Sequence, residues 1–98
     1  MIMRQWRERA AKSNPDAYPA HFRMTVLPEL RQVPGFVGAY LGRRTLNEKI
    51  EFIVVTKWQS MDAIKAFAGE DIDKAVVEPG AVAALIDYDE RVEHCEII

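Results

Sequence analysis

The chain has 98 residues, a formal net charge of −2 and 49% apolar residues, which fits one packed domain over residues 1–98 and excludes disorder. No basic run tracks phosphates, so nucleic-acid binding is not expected, and no apolar stretch is long enough to span a membrane or to act as a signal-peptide core. Cys95 is the only cysteine, which rules out an intramolecular disulfide or a cysteine-based zinc site and fits a reducing, cytoplasmic setting.

Residues 1–9 read as a first strand, with Ile2, Arg4 and Trp6 on one face and Met3, Gln5 and Arg7 on the other. A helix follows. Asn14-Pro15 is a start signal, but it would leave Pro19 interior; capping from Asp16 puts Pro19 where its missing N–H costs nothing. From there the helix runs to about Val33, with Tyr18, Phe22, Val26, Leu30 and Val33 forming one apolar stripe. Pro28 cannot donate to the Met24 carbonyl, so a kink is expected, and Pro34-Gly35 ends the element.

Phe36 to Arg44 reads as a second strand, with Val37, Ala39 and Leu41 opposed to Phe36 and Tyr40. Gly38 and Gly42 leave room for a close neighbour. A turn at Leu46-Asn47-Glu48 leads into Ile50 to Trp58, an antiparallel hairpin partner rich in β-branched and aromatic residues. This third strand is apolar on both faces, with Ile53 and Val55 on one and Phe52 and Val54 on the other. A sheet with one wet face alternates apolar and polar residues. Both faces here need cover, and a chain this short can hardly supply two layers. A homodimer is therefore expected.

Ser60 caps the next helix, with Asp62 in its first turn, a buried stripe of Ala63, Ile64, Phe67 and Ala68, and Gly69 as its stop. Glu70-Asp71 is expected to start a short helical piece through Ala75. Glu78-Pro79-Gly80 breaks the chain, Ala81 to Leu85 reads as another turn of helix, and Arg91 to Ile98 as the last strand. The order β-α-β-β-α-β is the ferredoxin-like arrangement of the α+β class, an antiparallel four-stranded sheet with helices on one face. Pairing the bare faces of two copies makes a dimeric α+β barrel.

These residues resemble the antibiotic biosynthesis monooxygenase family. The carriers are Arg4-x-Trp6-Arg7, Pro34-Gly35-Phe36 with Gly38-Ala39, Glu51-Phe52 leading to Trp58-x-Ser60, Ala63-Ile64, Phe67-Ala68-Gly69-x-Asp71-Ile72, and Asp89-x-x-Val92-x-His94. The resemblance implies small homodimers, a pocket between sheet and helices, and oxygenation of aromatic polyketides or quinols by O₂ without flavin, metal or haem. A haem-degrading branch of the superfamily carries an asparagine on the first strand, a second tryptophan after the one ending the third strand, and a histidine after the second helix. Here the first strand has no asparagine, and Phe67 and Val77 stand at the other two places.

Cofactor-free oxygenation needs an electron-rich substrate anion, a base to make it, donors to hold its charge, and a dry pocket. His94 is the candidate base, the only histidine on an expected strand; its structural alternative is a histidine bonded to Glu93 or Glu96. His21 is the competing base if the pocket opens under the first helix. Trp58, and less so Trp6, are candidate indole N–H donors, or else core anchors. Tyr18, Phe22, Tyr40 and Phe67 are the candidate pocket lining, against the plainer reading of a helical stripe as core. Arg4 and Arg7 are candidates to hold an anion, or to pair with Glu51, Glu93 or Glu96. Asp71, Asp73, Asp87 and Asp89 are spread over turns and helix starts, so no metal site is expected.

The leading functional reading is a cofactor-independent monooxygenase acting on a small aromatic phenol, quinol or polyketide-like substrate. The alternatives are a non-catalytic dimer that binds a small ligand in the same pocket, or a proton-transfer enzyme such as an isomerase or decarboxylase.

Overall fold

The structure is a computed structural model describing residues 1–98. Its sheet is antiparallel, built on β1 (Ile2–Ala11), β2 (Phe36–Leu46) and β3 (Lys49–Trp58) in the order β2-β3-β1. The fourth position, on the outer edge of β1, is shared by two segments, β4 (Asp87–Tyr88) and β5 (Glu93–Glu96). The last strand expected over residues 91–98 is the shorter β5, and β4, a strand the sequence did not suggest, pairs with the same edge of β1. The architecture is the α+β, ferredoxin-like one.

One face of the sheet is covered by helices. Along β1 the even positions Arg4, Trp6, Glu8 and Ala10 are buried, and along β3 the even positions Ile50, Phe52, Val54, Thr56 and Trp58. This is the period-two signature of strands packed on one side. Over the sheet lies a helical run made of α1 (Ala17–His21), a π-helical turn (Phe22–Val26) and α2 (Leu27–Leu30). The expected kink at Pro28 takes the form of that π turn: the Leu27 N–H donates to the Phe22 carbonyl, five residues back. Asp16 stands at the N-cap, but its side chain makes no capping hydrogen bond and instead lies 3.6 Å from Arg43.

Two clusters form the core. Trp6, Tyr18, Phe22, Phe52 and Val54 pack with Ala81 and Ala84 of α4 (Pro79–Ala84), and Leu30, Trp58 and Ile64 form a smaller group under α3 (Met61–Ala68). Ser60 caps α3 by accepting the Ala63 N–H at 3.2 Å, and Gly69 ends it at φ 91°.

Residues 70–75 are not helical. The Ala75 N–H donates to the Glu90 carbonyl and the Val92 N–H to the Asp73 carbonyl, and Lys74 bridges Arg91. Their backbone groups pair across to the strand region instead of along a helix.

Gly35 turns the chain from the helical run into β2 at φ +88°, and a Cβ there would lie 2.5 Å from the Ala63 Cβ. Gly35→Ala is therefore strained both in backbone and in packing. It is expected to cost about 2–3 kcal/mol, read as a lowered midpoint in urea unfolding.

The opposite sheet face carries no helix. Ile53, Val55 and Tyr40 stand on it, with Tyr40 61% exposed. At one end Glu51 accepts from Arg44 at 2.8 Å and from Arg7 and Arg9 at 3.4 Å, and Arg9 also pairs with Asp87 and Asp89.

Candidate functional site

Between the helical run and the sheet, a cavity of about 240 Å³ is lined by 14 residues, 10 of them hydrophobic. Its floor is Arg4 and Trp6 of β1 with Val54 and Thr56 of β3. Val26, Leu30 and Val33 roof it, and Phe67 closes one end. Its charged and polar side chains are Arg4, Thr56, Glu29 and Glu78, and Tyr18 adds a hydroxyl to the apolar wall.

The cavity has two chemically different ends. In the register, Arg4 faces Thr56, whereas Tyr18 stacks on Phe52 with ring centroids 5.5 Å apart. Thr56 and Phe52 are four residues apart on one strand, about 13 Å.

Arg4 is the deep end, only 5% exposed. Its Nη1 donates to the Ile72 carbonyl at 2.6 Å and its Nη2 to the Lys74 carbonyl at 2.9 Å, and its guanidinium lies 5.9 Å from the Phe67 ring centroid. Nη1 also lies 3.0 Å from His94 Nε2. A guanidinium has only donors, so Nε2 must be the acceptor and His94 must carry its proton on Nδ1. That proton is donated to Asp73 Oδ1 at 3.1 Å. No carboxylate hydrogen-bonds Arg4. Burial pulls the Arg4 pKa down to about 10, with nearby Asp73 working the other way.

The other end is a pair of carboxyl groups at the mouth. Glu29 is exposed on α2 and Glu78 half-buried just before α4. Burial, then the hydrogen bond that protonated Glu78 donates to Glu29 and the Glu29 charge, push the Glu78 pKa up. Two neighbouring carboxyls resist ionising together, which disfavours the charged form of Glu78. Behind them, His21 Nε2 lies 4.0 Å from Glu78 and has no hydrogen-bond partner.

The cavity collects some of the residues expected from sequence and not others. Arg4, Tyr18 and Phe67 line it. Phe22 is buried beside Tyr18, ring centroids 6.4 Å apart, and does not reach the wall. Trp58 is fully buried, and its indole N–H is spent on Thr56 Oγ1 at 2.8 Å, which is the anchor alternative. Trp6 lines the cavity, but its N–H goes to the Asp89 carbonyl at 2.6 Å.

Tyr40 lies on the uncovered face, away from the cavity. A bulge between Phe36 and Gly38 inserts one residue, so Phe36, Ala39 and Leu41 share the helix side and Tyr40 turns outward. There it accepts a hydrogen bond from Lys57 at 3.3 Å. His94 stands behind Arg4, not at the wall, and its carboxylate is Asp73 instead of Glu93 or Glu96. Arg7 pairs with Glu51, as one of the two arginines was expected to do.

Burial, then the Arg4 charge, lower the His94 pKa, while Asp73 opposes them. An NMR titration is expected to show His94 as the neutral Nδ1–H tautomer at pH 7, titrating below an exposed histidine. A doubly protonated ring at neutral pH would contradict the Arg4 contact.

Sequence reasoning did not find Glu29, Glu78 or Glu8. Glu8 is fully buried on the helix side of β1, and neither carboxylate oxygen has a hydrogen-bond partner. Its signal was available: it continues the face of Ile2, Arg4 and Trp6. Nothing local marks the other two.

The family model of antibiotic biosynthesis monooxygenases matches residues 1–79. Among solved structures, the chain is similar to one from Deinococcus radiodurans assigned to that class (16% identity, TM-score 0.64, covering 99% of this chain and 92% of that one). A second, from Bacillus cereus and of the same assignment, has 13% identity and a TM-score of 0.61 over 98% of this chain and 89% of that one. The haem-degrader MhuD of Mycobacterium tuberculosis, solved with two haems bound, has 18% identity and a TM-score of 0.59 over 100% of this chain and 96% of that one. No curated protein matches the chain. No helix is long and apolar enough to cross a membrane.

Proposed function

The chain belongs to the antibiotic biosynthesis monooxygenase family, and from that premise we propose that it is a cofactor-independent monooxygenase of small phenols or quinols. The observation that carries this reading is the apolar cavity with two carboxyl groups, Glu29 and Glu78, in its lining. An apolar cavity of about 150 Å³ holds benzene, so the larger one here suits a substituted ring or two fused rings.

Glu78 takes the phenolic proton, and burial and then Glu29 raise its basicity above that of an ordinary carboxylate. The phenolate then gives an electron pair from a hydrogen-bearing ortho or para carbon to O₂, forming a C–O bond. The ring C–H proton leaves, the O–O bond breaks, and water departs. The balance is phenol plus O₂ to quinone plus water, with O₂ as the only oxidant. Apolar walls keep competing water from the anion. Arg4, Tyr18 and Phe67 hold the ring, and His94 acts as the positioning group for Arg4.

A porphyrin does not suit this site. The cavity has room for one or two fused rings instead of a four-pyrrole macrocycle, and neither His21 nor His94 is at its wall.

The bare sheet face, with Ile53, Val55 and the exposed Tyr40, supports a homodimer. Sedimentation of the chain as a monomer at micromolar concentration would contradict that part. Oxygen uptake with a panel of phenols and hydroquinones tests the rest. Quinone formation above the uncatalysed rate is the expected result. No acceleration across the panel leaves only ligand binding and removes the enzyme reading.

A further inference from the structure

The unmatched cation at the inner end of the cavity gives a sharper description of the guest. We propose that the substrate is an aromatic hydroxy acid, whose carboxylate docks on Arg4 while its hydroxyl lies at Glu78 and Glu29. This rests on the reading of the cavity as a site for small phenols.

Three observations support it. First, Arg4 is 95% shielded from solvent by its 5% exposure, yet it takes part in no salt bridge. The nearest acid, Asp73, is occupied by His94. A buried charge ordinarily has a counter-ion, and the place left for one is the cavity that Arg4 lines.

Second, the guanidinium is held rigidly and is not saturated. Two carbonyls and His94 Nε2 take three of its five N–H groups. Nε–H and the second Nη2–H make no hydrogen bond. An Nε–H and Nη2–H edge is the fork that grips a carboxylate through two parallel bonds.

Third, the charges along the cavity are ordered. The cation is at the buried end, and the carboxyl pair, which repels an anion, is at the mouth. A guest with an acid at one end and a hydroxyl at the other satisfies both, and it can enter in only one orientation. The cavity volume of about 240 Å³ leaves room for a fused two-ring hydroxy acid as well as a single ring.

The test uses 6-hydroxy-2-naphthoate, its neutral isostere 6-hydroxy-2-naphthamide and 2-naphthol, with binding to the full chain followed by their fluorescence. The acid is expected to bind at least about tenfold tighter than the amide. Arg4→Met keeps the aliphatic stem and is expected to erase that preference, weakening the acid far more than the amide. Arg4 also ties down residues 72 and 74, so the variant's fold is checked by circular dichroism. The Arg4 Nε–H resonance of the unmodified protein gives an independent readout, expected to shift with the acid and not with the amide.

Equal affinity for acid and amide, an unmoved Nε–H signal, or an acid preference that survives in a folded Arg4→Met overturns the inference and leaves the phenol site standing. Failure of all three probes to bind removes the phenol site itself.

Discussion

Glu78→Gln is expected to lower kcat for phenol oxidation by about 10²- to 10³-fold, the usual contribution of a positioned general base. Glutamine keeps the shape of the side chain and its hydrogen-bonding reach, but it cannot accept the phenolic proton. Binding of the phenol should change little, so the loss falls on kcat and not on KM. Glu29→Gln behaves differently, because Glu29 acts through Glu78. Its charge and hydrogen bond help to raise the Glu78 pKa, so removing it lets that pKa fall. Activity requires ionised Glu78, so the acidic limb of the pH–rate profile moves to lower pH while the plateau is largely retained. Stopped-flow or oxygen-electrode profiles of the two variants separate these effects. Full activity in Glu78→Gln would return the search for the base to His21, whose Nε2 lies 4.0 Å from Glu78 and has no hydrogen-bond partner.

The contrast between what the residues revealed and what they hid follows from sequence distance. The strand pattern and the hairpin were legible because period-two alternation and turn residues are local signals, and Ser60 and Gly69 mark the ends of α3 in the same way. Tyr40 was misplaced because one extra residue at Val37 reverses every side chain after it, and no residue type announces a bulge there. The segment 70–75 carries the composition of a helix start, but its backbone is committed to Arg4 and to residues 90–92, partners a propensity argument cannot see.

The partner of His94 was sought among its strand neighbours. Glu93 points to the opposite face and Glu96 stands about 7 Å along the same face, so Asp73, brought in by the loop, is the one that reaches the ring. The carboxyl pair is the hardest case. Glu29 follows a proline in a helix and Glu78 precedes one, and each looks like an ordinary surface acid until the helical run and α4 are laid together.

Glu8 yields the second large effect, on stability. Its carboxyl is fully buried on the helix-covered face of β1, and neither oxygen has a hydrogen-bond partner. Burial pushes its pKa from 4.5 up to about 8, with the neighbouring Tyr18 hydroxyl and the Arg9 charge pulling the other way. In the folded chain the group therefore holds its proton across a range in which the unfolded chain has released it. Folding then binds a proton, and unfolding becomes easier as pH rises. The contribution is favourable below pH 4.5 and is lost progressively up to about pH 8, at a slope of about 1.4 kcal/mol per pH unit. Above that range the folded chain must carry a bare carboxylate in its core or give way around it.

Glu8→Gln removes the titration without removing the volume. It is expected to be less stable than, or equal to, the parent near pH 5 and more stable by about 2–4 kcal/mol near pH 8. Other groups titrate in the same window, so the informative quantity is the difference between the two proteins in urea unfolding at each pH. Parallel pH dependences for parent and variant would mean that Glu8 finds a counter-charge the fold does not otherwise supply. A crossing, with the variant overtaking the parent as pH rises, is the signature of a proton trapped in the core. It would also show that β1 keeps both its buried cation and its buried acid on the one face that meets the helices.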